Sequence, residues 1–430
     1  MKLRIVTILV FTLSQPLPAQ SVEDLRSLWQ KLKANNPELQ QAEQDLAQEE
    51  SKVASQWGAL TPSLTLRGEW SPSQNQLDGN LESSSSRSAR LQLRQALVDR
   101  TAWVQLSQQQ NLRTLRSRLA EKLRHDMMLR LVLTYYETQE AKLVANILEE
   151  AFQKSLNSLE AQAYQVLEAG VRSPRDVSVY LLQISQLRLR QRQVEPRVRE
   201  RFRSLNLLVS SDPITDIQVP DRDFQPEIRD LPAAQVTVEQ AIEDLELKAR
   251  DLQVDLAASR LWPRLSLFGE WSRSTRSPAL DVLQGNAPGE VRDSSLGLAL
   301  EVPLWSGLSD YYQRRAAVQG RESIRFKVSG MQREREALIG DAEARLHDEY
   351  ARLEEATRVW KQAKKLRDLA RQRQDAGLAS FDDILGPEIQ LIELSITRLE
   401  ASFHYLKSLA AEFHRRGLLD ERQFELLETK

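Results

Sequence analysis

The chain has 430 residues, with 59 Lys and Arg against 61 Asp and Glu, and no cysteine. A formal net charge of -2 argues against a nucleic-acid binder, which needs a strongly basic face. The missing cysteine excludes disulfide frameworks, thiolate metal sites, cysteine nucleophiles and a lipid-modified N-terminal cysteine.

Lys2 and Arg4 precede an apolar run from Ile5 to Leu13, followed by Pro16, Pro18 and Ala19. That order reads as a secretory signal peptide over residues 1–19, cleaved after Ala19 or alternatively after Ser21. The apolar run is too short to span a bilayer, and no later segment approaches the roughly 20 apolar residues of a membrane helix. The first repeat, residues 20–209, then begins with a helix whose Leu25, Leu28, Leu32, Leu39, Ala42, Leu46, Val53 and Trp57 share one face.

Pro62 ends that helix and the period changes to two. A β-hairpin is expected over residues 63–98. In it Leu64, Leu66, Gly68 and Trp70 alternate with polar residues, and Ala89, Leu91 and Leu93 oppose Arg90, Gln92 and Arg94. The polar stretch Pro72 to Ser86 is expected to be a loop. From Thr101 to Ala169 the helical period runs unbroken by proline, a rod of roughly 100 Å at about 1.5 Å per residue. A tip at 170–174 follows, where Gly170 suits a left-handed helix cap and Pro174 suits the first turn of a returning helix.

Residues 210–235, with Pro213, Pro220, Pro226 and Pro232, read as a non-helical connector. Residues 236–417 then repeat the same parts in the same order: helix, β-hairpin 264–303 with a loop over Arg273 to Asp293, long helix, tip 377–381 and return helix, before a tail at 418–430. LTPSLTLRGEWS (60–71) and LWPRLSLFGEWS (261–272) share eight of twelve residues, and AGVRSPRDV (169–177) lines up with AGLASFDDI (376–384). This is an internal duplication.

An apolar stripe on so long a rod cannot bury itself, so the long helices are expected to pack as coiled coils. If the apolar strand faces meet lipid, every backbone group must be paired, and four strands cannot close a barrel alone. Several chains must pool their strands; two would give eight and three would give twelve. Trp57, Trp70, Trp103, Trp262, Trp271 and Trp305 lie in or beside the strands. Trp70 and Trp271 are the best candidates for an interfacial aromatic belt, against a role as ordinary core tryptophans.

The order helix, LxPSLxLxGxW strand, LxLxxPLxxG strand, long helix, AGLxSxxD turn and return helix, given twice after a signal peptide, resembles the TolC family of outer-membrane efflux proteins. The resemblance implies a mainly helical homotrimer. Each chain would give four strands to a twelve-stranded outer-membrane β-barrel and its coiled-coil hairpins to a periplasmic α-barrel. It implies a passive conduit in the outer membrane, held by outer-membrane lipid and docked on a periplasmic adaptor that couples it to an inner-membrane pump or ABC transporter.

The resemblance also places function at the hairpin tips. Gly377, Leu378, Ala379 and Ser380 match the family's adaptor-contact turn; Gly170, Val171, Arg172 and Ser173 match it less fully, since Arg172 replaces a small residue. Asp176 and Asp383 fall where an aspartate lines the aperture, although an acidic residue in a helix's first turn also complements the dipole. A second aspartate one turn on is replaced by Gly386.

Other chemistry is thin. His125, His347, His404 and His414 lack metal-ligand spacing, and no nucleotide-binding or hydrolase motif occurs, so neither an enzyme nor a cofactor is expected. Two readings stay open beside the channel: an exported coiled-coil scaffold protein and, within the family, a heavy-metal cation conduit.

Overall fold

The computed structural model describes residues 22–77, 80–170, 173–209, 213–221, 224, 226, 237–277, 289–304, 308–376, 378, 381–421 and 424. The expected signal peptide, Trp305, and most of the connector and of the C-terminal tail lie outside them. The chain is mainly helical with one four-stranded sheet. In chain order the elements are α1 (Leu25–Asn35), α2 (Pro37–Gly58), β1 (Ser63–Leu77), β2 (Asn80–Val98), α3 (Arg100–Ala151), α4 (Asn157–Glu168), α5 (Pro174–Val209), α6 (Val238–Ser259), β3 (Arg264–Ser277), β4 (Gly289–Glu301), α7 (Ser309–Asp375) and α8 (Phe381–Arg415).

Two expectations about the helices need correction. The first helix is two, because Pro37 disfavours helical backbone at Asn36, whose ψ is 122°. The Asn36 amide donates instead to the Leu208 carbonyl at 3.0 Å, tying the break to the end of α5. The first long helix is also interrupted: Phe152–Leu156 form a π-helical turn between α3 and α4. One extra residue per turn rotates the apolar stripe there, and both Phe152 and Leu156 stay buried.

Caps mark several helix starts. Asp24 accepts the Ser27 N–H at 2.7 Å to start α1. Thr237 and Gln240 form a reciprocal capping box at the start of α6.

The sheet order is β1-β2-β3-β4, all antiparallel, so the hairpins of the two sequence repeats join through β2 and β3. The strands are 15, 19, 14 and 13 residues long. They run through much of what reads as polar loop: Pro72 pairs with Ser85 and Ser274 with Val291. Ladder hydrogen bonding does not need apolar side chains, and polar residues extend a strand freely where both faces meet water.

The chain divides into two compact units. One contains Met1–Pro37, His125–Gln235 and Ile339–Lys430, the other Glu38–Arg124 and Val236–Leu338. The first has a dense core in which Trp29, Tyr135, Tyr136, Phe403, Tyr405 and Phe424 are fully buried, with the Tyr136 and Phe403 rings 6.2 Å apart. Near the end of α8 the buried Arg416 donates to Glu412 at 2.8 Å and also pairs with Glu343 on α7. The second unit, which holds the sheet, buries far less. Among the described residues its buried hydrophobic side chains are Leu39, Ala102, Leu106, Ile242 and Val328.

Candidate functional site

The alternation of the strands resolves into two faces. Cross-strand rows Leu64–Leu93–Gly269–Leu296 and Leu66–Leu91–Trp271–Ser294 carry the apolar face, continued by Leu267 opposite Leu298 and Leu265 opposite Leu300. Leu64, Leu66, Leu296, Leu298 and Leu300 are 63–76% exposed, so no described element covers this face. At Gly269 an added Cβ would lie 3.3 Å from Leu296 and 3.6 Å from Leu93, which shows how closely the row packs on itself.

The opposite face carries Thr65, Arg67 and Glu69, then Arg90, Gln92 and Arg94, then Ser266, Phe268, Glu270 and Ser272, then Asp293, Ser295, Gly297, Ala299 and Glu301. Here Glu270 accepts from Arg90 at 3.2 Å and from Gln92 at 3.4 Å. Arg67 stands directly opposite Arg90 on the neighbouring strand. β1 and β4, at the ends of the sheet order, each keep one edge without a strand partner among the described residues.

Trp70 and Trp271 are both exposed on the apolar face, 65% and 43% respectively. Trp57 and Trp103 meet edge to face at 5.8 Å just below the strands, and the Arg100 guanidinium lies 4.2 Å over the Trp262 ring.

The tips follow from local backbone chemistry. Gly170 has φ +63°, the left-handed conformation that only glycine adopts freely, and its N–H donates to the Leu167 carbonyl at 3.2 Å. Val171 and Arg172 lie outside the described residues; Ser173 is exposed, and Asp176 lies in the first turn of α5. At the second tip, Gly377, Ala379 and Ser380 lie outside the described residues. Leu378 is 78% exposed and its N–H closes onto the Arg373 carbonyl at 2.9 Å. Asp383 is exposed in the first turn of α8.

Above the second tip the structure brings together a pair that no sequence signal marks: Arg371 on α7 and Glu388 on α8, 3.0 Å apart. They help line a cavity of about 390 Å³ among the end of α3, α7 and α8. There the Trp360 N–H donates to the Ser395 hydroxyl at 3.0 Å, and Arg398 lies 4.3 Å over the indole. No cluster of His, Asp or Glu suited to a metal ion occurs among the described residues, and no described helix is long and apolar enough to cross a membrane.

The fold is that of the outer-membrane channels, in agreement with the TolC-family resemblance of the sequence. The chain superimposes on a membrane protein from Pseudomonas aeruginosa with a TM-score of 0.77 at 18% identity, over 92% of this chain and 91% of that one. It matches the Campylobacter jejuni outer membrane channel CmeC with a TM-score of 0.77 at 15% identity, over 100% and 98%. The outer membrane protein VceC of Vibrio cholerae matches with a TM-score of 0.74 at 16% identity, over 91% and 96%. No family model matches the sequence, and no curated protein matches it.

Proposed function

We propose that the protein is an outer-membrane channel, assembled from three copies, that passes solutes from the periplasm to the exterior as the outer component of a tripartite efflux or type I secretion system. The observation that carries this reading is the sheet. Among the described residues it has an uncovered leucine face, a charged opposite face, two edges without strand partners, and a unit around it that buries few hydrophobic side chains. In water such a sheet exposes too much apolar surface. In a bilayer the same surface is satisfied once copies of the chain join β4 to β1 and close the ring, because closure leaves no unpaired backbone edge.

The resemblance to the TolC family favours three copies and twelve strands. It also favours an adaptor at the tips, with Gly170, Ser173 and Leu378 among the contact residues and Asp176 and Asp383 lining the aperture. A passive conduit draws its energy from a partner pump, so cargo is selected largely elsewhere. A water-soluble coiled-coil scaffold would gain nothing from leucines at 63–76% exposure on an open sheet face.

The test is purification from outer membranes in detergent, followed by mass determination and planar-bilayer recording. A three-chain particle that conducts ions is the expected result. A chain that stays monomeric and soluble without detergent would sink the reading.

A further inference from the structure

The charged face of the sheet carries one aromatic among its described residues, Phe268. It sits where strict alternation asks for a polar side chain, between Ser266 and Glu270 on its own strand. Its ring lies over Gly297 of β4: a Cβ placed on Gly297 would be 2.9 Å from Phe268 Cζ and 3.1 Å from Cε1. A side chain at Gly297 would have to displace the ring, and with glycine there the phenyl rests against bare backbone while remaining 38% exposed.

On the other side of Phe268 its cross-strand partner is Arg94 of β2. Directly paired residues have their Cβ atoms about 4.5–5.5 Å apart. The ring leans toward β4, and Arg94, exposed on the same face, is its cross-strand partner on the other side. The nearby carboxylate of Glu270 is already shared by Arg90 and Gln92. Among the described residues no carboxylate lies within 4.0 Å of Arg94. On one side of the pair the neighbours on this face are small, Ala96, Ser266 and Ala299; on the other side stand Gln92 and Glu270. The result is a part-exposed apolar ring whose cross-strand partner is an exposed arginine.

We propose that Phe268 and Arg94 form a contact site in the channel lumen for organic anions that carry an aromatic ring, repeated once per chain around the barrel. The site rests on the channel reading, which makes the charged face of the sheet the lining of the pore. An aromatic anion stacks on the Phe268 ring and sets its acid group against the Arg94 guanidinium. Contacts of this kind are weak one at a time, which suits a conduit, since a solute must be held well enough to enter and loosely enough to leave.

The experiment is single-channel recording of the assembled protein in a planar bilayer, with 2-naphthoate, acetate and 2-naphthylmethylammonium added in turn. Naphthoate is expected to block current at lower concentration than either of the others. Phe268→Ser is expected to raise the half-blocking concentration of naphthoate about 2- to 10-fold, the range of one lost aromatic contact. Arg94→Gln raises it similarly, whereas Arg94→Lys largely retains the block. The current in potassium chloride alone shows that each variant still assembles. Equal block by naphthoate and naphthylmethylammonium, or an unchanged half-block in Phe268→Ser, overturns the site while leaving the channel intact. Absence of any conductance overturns the channel reading itself and the site with it.

Discussion

The Arg371 guanidinium donates to Glu388 at 3.0 Å, fastening α7 to α8 just above the second tip. The two partners differ in burial: the Arg371 side chain is 48% exposed and that of Glu388 only 9%. The second carboxylate oxygen of Glu388 is buried and has no hydrogen-bond partner.

The asymmetry gives the first prediction. Arg371→Ala strands a buried carboxylate, which costs about 1–2 kcal/mol once partial solvent access is allowed for. Glu388→Gln leaves Arg371 free to turn into water and removes the buried charge, so it costs less. Urea unfolding of the detergent-solubilised protein measures both, and equal losses would show that the pair contributes only as a surface contact.

Much of this architecture was legible because its signals are local. The change from helical to alternating period at Leu64, Leu66, Gly68 and Trp70, and the doubled GEWS segment, place the strands without any tertiary information. Gly170 announced the first tip for the same reason, since its φ of +63° is a demand made by one residue. The strand extensions past Pro72 were not legible, because a polar ladder in water has no apolar face to betray it. Nor was the Arg371–Glu388 pair, whose meeting depends on the register of two antiparallel helices across a turn. The site at Phe268 falls between these cases. Its departure from the polar face is printed in the sequence, but the glycine beneath it lies on another strand, and only the register reveals it.

The glycines separate strain from mere flexibility. Gly170 has open space where a Cβ would stand, so Gly170→Ala meets no clash, yet it forces an L-residue into left-handed backbone at a cost of about 1–2 kcal/mol. Gly340 lies within α7, also in open space, and there alanine should raise stability by about 0.5–1 kcal/mol because glycine weakens a helix interior. Opposite signs in denaturant unfolding are the expected outcome. Matching signs would mean that the tip backbone relaxes around the new side chain.

Alkaline pH should find Tyr350. Burial pushes its hydroxyl above the ordinary tyrosine value of 10.0, and the Glu354 carboxylate adds to the rise by repelling the phenolate and accepting the phenol's hydrogen bond. The unfolded chain releases this proton near 10.0 and the folded chain only at higher pH. The stability from this group is therefore whole below that value and is lost as pH rises through the folded value. Tyr350→Phe keeps the edge-to-face contact with Tyr405, at 5.5 Å between centroids, and removes the titration. Unfolding midpoints at about pH 8 and about pH 11 should converge in the variant relative to the native chain. An unchanged alkaline loss would place the sensitive group elsewhere.

Asp383 carries the last prediction, because two roles are available to one carboxylate. In the first turn of α8 it faces the positive end of the helix dipole, a contribution of about 0.3–1 kcal/mol. If three copies also ring the aperture, their charges set the local concentration of cations at the entrance. Asp383→Asn separates the two. The dipole role alone predicts a small loss of stability and an unaltered current. The aperture role predicts a changed single-channel conductance and a weaker response to added divalent cations, with the difference fading at high ionic strength as screening removes the field. Unaltered single-channel behaviour at low salt would leave Asp383 as a helix cap and return the aperture to other residues of the tip.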